Sequence, residues 1–219
     1  MESPSEIELH DKIIQVCQRL YNRNMLAAGD GNVSYRVSDE HIIMTPSGRA
    51  KAFLKREEMT AVDLAGEVLS GKPSNEMLMH LEIYRQCPKA KAVVHAHPPH
   101  AVAWSVARPD LAELPATALA EVILTTGGIP IVPYARPGTS AMGEVLRPYL
   151  PDHRLMVLSR HGGLSWGEDL DEAVNGMERL EHSAQMLAIA QGLGGLTSLP
   201  EDEVRQLKEL RKQIGERLL

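Results

Sequence analysis

The sequence has little cysteine and few aromatic side chains. Cys17 and Cys87 are its only two cysteines in 219 residues. That is too few for a disulfide framework, and a reducing cytoplasm is the default setting. Phe53 is the sole phenylalanine and aromatics make up 4% of the chain, so Leu, Ile, Val, Ala and Met must build the core. Basic residues are not in excess: 23 lysines and arginines stand against 29 acidic residues, a net charge of −6. This argues against a general nucleic-acid-binding surface. No run of about 18 apolar residues occurs, the length a membrane span needs. Glu2, Glu6, Glu8 and Asp11 give the start the wrong charge for a secretory or organellar leader. Repeats, low-complexity tracts and long linkers are missing too. Residues 1–219 are therefore expected to form one domain, with 1–6 as a flexible N-terminus. With 43% hydrophobic and 24% charged residues, a chain of this size can bury a core without disulfide or metal support.

Apolar spacing predicts helices over 7–24, 76–86, 100–107, 172–191 and 201–218. Alternation and short apolar runs predict strands over 33–37, 41–44, 61–64, 68–69, 92–95, 131–132 and 155–158, with 164–166 as a returning partner. Ser74 or Asn75 is the expected cap of the second helix. Cys87-Pro88 ends that helix, and Pro98-Pro99 opens the third. The early strands are close enough to pair as hairpins, which predicts an α/β fold with a mixed or mainly antiparallel sheet flanked by helices.

The histidines carry the first chemical signal. His95-Ala96-His97 follows Val93-Val94. In an extended strand, residues i and i+2 face the same way, so both imidazoles can converge on one ion. His161 follows a second strand-like run and precedes Gly162-Gly163, where backbone can approach closely. Three imidazoles suit zinc and leave a position open for chemistry. The alternative is a set of strand histidines with ordinary hydrogen bonds. His100 is a spare candidate on the following helix, placed to support a ligand rather than to be one. Glu76, at a helix start, is the leading base candidate, or else a carboxylate complementing the helix dipole. Glu76 and His80, four apart, share a helix face and suit a mutual contact.

Three small polar segments offer backbone N–H groups and short donors to an oxyanion. They are Gly29-Asp30-Gly31-Asn32-Val33-Ser34, Thr45-Pro46-Ser47-Gly48, and Ser74-Asn75. None is a P-loop, because no Gly-Lys-[Ser/Thr] occurs, and Gly29-Asp30-Gly31 lacks the preceding strand and third glycine of a dinucleotide fingerprint.

Taken in order, Gly31-Asn32-Val33-Ser34, Thr45-Pro46-Ser47-Gly48, Lys72-Pro73-Ser74-Asn75-Glu76, His95-Ala96-His97 and His161-Gly162, with Pro133-Tyr134 and Gly138-Thr139 in support, resemble the class II aldolase/adducin family over about residues 7–215. The resemblance implies a single three-layer α/β/α domain with a central, mainly antiparallel sheet. It implies one Zn2+ per subunit held by His95, His97 and His161, with Glu76 as catalytic acid/base. It places the phosphate of a phosphorylated small-molecule substrate at Asn32, Thr45, Ser47, Gly48, Ser74 and Asn75. It also implies a homotetramer with interfacial active sites. The expected activity is reversible aldol cleavage of a (deoxy)ketose 1-phosphate to dihydroxyacetone phosphate and an aldehyde. Dehydratase, 4-epimerase and decarboxylase members share the motifs, and adducin-like scaffolds represent a non-catalytic branch. Glu121 stands where the family's aldolases carry a proton-donating tyrosine, and is the corresponding catalytic candidate. The residues from 198 onward contain no tyrosine to match the second one of those aldolases.

Overall fold

The computed structural model describes residues 4–215 and 217. Of the six residues expected to be a flexible tail, 1–3 lie outside that description. Ser5 instead begins helix α1 (Glu6–Asn22) through a capping box. Its hydroxyl accepts the Glu8 N–H, and the Glu8 carboxylate accepts the Ser5 N–H at 2.7 Å. Leu9, Ile13, Val16, Cys17 and Leu20 form the buried stripe of α1.

Eight strands follow: β1 (Asn32–Ser38), β2 (His41–Met44), β3 (Thr60–Val62), β4 (Val68–Ser70), β5 (Ala92–Ala96), β6 (Ile131–Val132), β7 (Leu155–Leu158) and β8 (Gly162–Gly167). They form one sheet in the order β4-β3-β2-β1-β5-β8-β7-β6. Every pairing is antiparallel except β6 with β7. The sheet is thus mixed and mainly antiparallel, as the hairpin spacing predicts. The remaining helices are α2 (Met77–Gln86), α3 (Pro99–Ala107), α4 (Ala120–Thr126), α5 (Ala141–Glu144), α6 (Leu170–Gly192) and α7 (Glu201–Ile214). The terminal helix stops at Ile214, short of the expected 218; residues 216, 218 and 219 lie outside the description.

Alternation along the strands divides the core into two layers. Ala92 and Val94 of β5 join Val33, α1, and Met177 and Leu180 of α6 on one face. Val93 joins Ile42, Met44, Trp166, and Met79 and Ile83 of α2 on the other. Burying each such side chain contributes about 1.5–3 kcal/mol before conformational entropy is counted. The central register sets the functional geometry: Asn32 of β1 is opposite His95 of β5, which is opposite Leu164 of β8. Among the described residues, no helix is long and apolar enough to cross a membrane.

Candidate metal centre and active site

His95 leaves β5 on the same face as Val93, as the two-residue period requires. The strand ends where the His97 N–H donates to the Met25 carbonyl at 2.8 Å, and Pro98 turns the chain into α3. His161 sits in the tight β7–β8 connection, following Arg160 with φ +60°. Its N–H donates to the Leu158 carbonyl at 3.0 Å. The three rings meet with centroids 4.8 to 5.2 Å apart. One nitrogen from each can be chosen so that all three lie within 4.8 Å of one another.

Gly162 makes this meeting possible. A Cβ there would lie 2.5 Å from the Ala96 carbonyl oxygen and 2.6 Å from His95 Cε1. Gly31, at φ +70°, admits the β1 end in the same way: a Cβ would sit 2.8 Å from the His95 carbonyl oxygen.

The tautomer of His95 is fixed by its neighbour. Nδ1 faces the Gly163 carbonyl at 2.8 Å and must therefore donate. Nε2 then presents a lone pair, is buried, and makes no hydrogen bond among the described residues. Burial holds this imidazole well below the ordinary histidine range, hence neutral, despite the nearby Glu76 charge. His97 is shifted down by burial as well, against the opposing pull of Asp30. Asp30 Oδ2 lies 3.3 Å from His97 Nδ1, the carboxylate–histidine arrangement that orients a metal ligand. His161 Nδ1 is a second buried nitrogen without a hydrogen bond. Converging imidazoles, two of them with a buried nitrogen that makes no hydrogen bond, fit a zinc ion.

Glu76 is itself the N-cap of α2 and makes no side-chain cap bond. This corrects the expectation that Ser74 or Asn75 caps the helix. The Ser74 hydroxyl accepts the Glu76 N–H at 3.3 Å instead. Freed from capping, the Glu76 carboxylate turns toward the histidines, with Oε2 3.3 Å from His95 Nε2 and Oε1 3.2 Å from His161 Nε2. Burial pushes this carboxyl up. The His161 hydrogen bond, the His95 and His161 imidazoles and the Asn32 amide outweigh it and hold the group below the usual carboxylate range.

A cavity of about 420 Å³ opens above these groups. All three oxyanion segments reach it, through Gly29, Asp30, Gly31 and Asn32, through Ser47 and Gly48, and through Ser74 and Asn75. The last two segments run side by side: the Ser47 N–H donates to the Lys72 carbonyl at 3.0 Å, and Ser47 Oγ to Asn75 Oδ1 at 3.2 Å. Glu76, His97, His161, Pro137 and Gly138 complete the wall, together with Lys51.

Three sequence candidates stand differently. Thr45 is fully buried and its hydroxyl accepts the Val33 N–H at 3.2 Å, so it braces β1 and is not in the cavity lining. Glu121 is exposed in the first turn of α4 and is not in that lining either. His100 pairs with Glu181 at 2.7 Å, outside the triad. Glu76 and His80 do not touch directly; Asn32 bridges them.

Two roles beyond the sequence expectations belong to the site. Asp30 orients His97. Lys51 is only 3% exposed and donates Nζ to the carbonyls of Gly29 and Arg49 at 2.9 and 2.7 Å. It cross-links two oxyanion loops and brings a positive charge beneath them. A lysine three residues after Gly48 is the local signal for it.

Residues 11–188 match the family model described as Class II Aldolase and Adducin N-terminal domain. The chain is 34% identical over 190 residues to the 3-oxo-tetronate 4-phosphate decarboxylase of Escherichia coli K12, covering 84% of this chain and 88% of that one. It is 37% identical over 175 residues to the L-fuculose phosphate aldolase of Methanococcus vannielii, covering 80% and 93%. The crystal structure of YgbL from Klebsiella pneumoniae superimposes with a TM-score of 0.85 at 30% identity, covering 94% of this chain and all of that one.

Proposed function

The chain belongs to the class II aldolase and adducin family, and from that membership we propose a metal-dependent lyase that cleaves a (deoxy)ketose 1-phosphate to dihydroxyacetone phosphate and an aldehyde. The observation that carries this reading is the Glu76 carboxylate, 3.2 and 3.3 Å from two of three converging imidazoles in a cavity walled by oxyanion loops. Zinc held by His95, His97 and His161, one per subunit, would supply Lewis-acid polarisation of the substrate carbonyl.

The chain's own residues do the rest. Backbone N–H groups of the loops, with Ser47, Gly48, Ser74, Asn75 and the Lys51 charge, hold the phosphate. Asn32 aims its amide at Glu76. When the carbon–carbon bond breaks, the hydroxyl that becomes the aldehyde oxygen gives its proton to solvent or to a base of a neighbouring copy, and the bond's electron pair passes to the carbonyl oxygen, giving an enediolate. Glu76 delivers a proton to the enediolate carbon, and in synthesis removes it again. In this reading the enzyme is a homotetramer with interfacial sites, where Glu121 acts as donor only if a neighbouring copy supplies it. Its partners are phosphorylated small molecules rather than nucleic acid or membrane. Two buried free thiols suit a cytoplasmic setting.

A second reading is decarboxylation of a 3-oxo acid phosphate, favoured by the 34% identity to the Escherichia coli decarboxylase. Loss of CO2 leaves an equivalent enolate, needs no base to break the bond, and again calls for one proton on carbon. A scaffold role, by contrast, has no use for Glu76 or the unpaired histidine nitrogens.

The test is proton exchange at the hydroxymethyl group of dihydroxyacetone phosphate in D2O, followed by NMR with zinc-loaded protein. Exchange that is lost in Glu76→Gln supports enediolate chemistry at Glu76, which both lyase readings share. Consumption of dihydroxyacetone phosphate with an added aldehyde then supports the aldolase, whereas CO2 release from 3-oxo-tetronate 4-phosphate without such consumption transfers the assignment to the decarboxylase. Neither activity, with zinc bound, refutes both lyase readings.

A further inference from the structure

Behind Glu76 and Asn32 a buried chain of polar side chains continues to His80, Ser34 and Tyr84, to which the reaction assigns nothing. Asn32 Nδ2 is 2.7 Å from Glu76 Oε2, and Asn32 Oδ1 contacts His80 Nε2. His80 Nδ1 is 2.7 Å from Ser34 Oγ, which is 2.7 Å from the Tyr84 hydroxyl. His80, Ser34 and Tyr84 are at most 1% exposed and Asn32 is 3% exposed. Asn32 and Ser34 come from β1 and His80 and Tyr84 from α2, so the sheet–helix packing, not a loop, holds the chain together.

Donor and acceptor accounting gives the chain one direction. A carboxylate can only accept, so Asn32 must turn its NH2 toward Glu76. Its carbonyl oxygen then faces His80 Nε2, which must carry the proton. A fully buried, neutral imidazole has one N–H, so Nδ1 must accept. Ser34 therefore donates to His80, and Tyr84 donates to Ser34 at 2.7 Å in preference to the Lys91 carbonyl at 3.5 Å. Every hydrogen in the series points toward Glu76. Were His80 in the other tautomer, its bare Nε2 would face the Asn32 carbonyl oxygen. The amide would then have to rotate and set that oxygen against the Glu76 carboxylate at about 2.7 Å.

We propose that His80 is a positioning residue for the reaction: its Nε2–H tautomer, set by Ser34 and Tyr84, locks the Asn32 amide with its N–H on the proton-carrying carboxylate of Glu76. The inference rests on the lyase reading of Glu76. It also assigns the Asn32 side chain mainly to Glu76, while its loop still faces the phosphate. Both nitrogens of His80 are engaged within the chain, so neither is free to hold a metal.

The test joins a spectroscopic and a kinetic readout on the full-length, zinc-loaded protein. Histidine-selective 15N labelling, with the His80 signals identified by their loss in His80→Gln, should show a pyrrole-type Nε2 and a pyridine-type Nδ1. The opposite tautomer overturns the proposal whether or not the protein is a lyase. In kinetics, His80→Leu should lower kcat about 10- to 100-fold. KM for the phosphorylated substrate and zinc content should stay near wild type. His80→Gln, which keeps one donor and one acceptor, should recover most of the loss. Wild-type kcat in His80→Leu overturns the proposal. If His80→Leu does not fold, the tautomer and the His80→Gln turnover still decide it. Failure of the lyase reading itself would appear separately, as no turnover of either substrate by zinc-loaded wild type, and full activity in Glu76→Gln would remove Glu76 as the proton carrier.

Discussion

Glu76 illustrates how a single backbone position decides a side chain's role. A carboxylate at the first turn of a helix ordinarily serves the exposed N–H groups there. Here it makes no cap bond, because the Ser74 hydroxyl holds the Glu76 N–H and the Asn32 amide draws its carboxylate toward the histidines. Glu76→Gln keeps the shape and removes the proton carrier. Turnover should fall about 10²- to 10⁴-fold with zinc content unchanged, checked by steady-state kinetics alongside metal analysis. Gly162→Ala should destabilise the fold by about 1–3 kcal/mol, because the new methyl must displace the Ala96 carbonyl or the His95 ring. A lowered urea midpoint together with weakened zinc binding is the expected result. Residues like these show what a sequence can disclose. The period of two makes His95 and His97 visible, and a strand followed by Gly-Gly marks His161. The roles of Asp30, Lys51 and His80 stay hidden because the partners that give them meaning lie elsewhere in the chain. His97 is far from Asp30, Gly29 from Lys51, and Asn32 and Ser34 more than 45 residues from His80.

At the scale of elements, strands were more legible than short helices. Hairpin spacing and alternation identify β1 to β3 and the β7–β8 return, and apolar periodicity finds α1 and α6, although the Ser5 cap of α1 lies in the stretch expected to be a tail. The helices α4 and α5, of seven and four residues, carry no complete apolar period and are formed by tertiary packing. The oxyanion loops are the elements with the clearest functional consequence. Two of them are tied by the Ser47–Lys72 and Ser47–Asn75 hydrogen bonds, and two by Lys51. Ser74→Ala removes one hydroxyl from this wall without altering the core. KM for the phosphorylated substrate should rise about tenfold, the scale of a lost hydrogen bond to a charged group, with the thermal midpoint little changed. An unchanged KM removes Ser74 from the phosphate site.

The whole molecule places its reactive groups where two central strands, β1 and β5, meet α2, so stability and chemistry share buried ionisable groups. Burial holds His80 neutral in the fold, pushed down from 6.5 to about 4. Between those values the unfolded chain binds a proton that the folded chain refuses. Stability should therefore fall as pH drops from 6.5 toward 4, and this group should add no slope above 6.5. Denaturant midpoints of the metal-free protein across that range should drop more steeply in wild type than in His80→Gln. Equal slopes contradict a buried neutral His80. The sheet order brings β5 beside β8, and the β7–β8 turn delivers His161 to the pair on β5. The central claim is that these three histidines form one metal site. Its most direct test is the zinc content per chain of protein loaded with zinc and freed of excess metal. The account predicts one equivalent in wild type and in Glu76→Gln, and loss of that equivalent in His95→Ala and His161→Ala. Protein that retains no zinc, or retains it fully without His161, would contradict it.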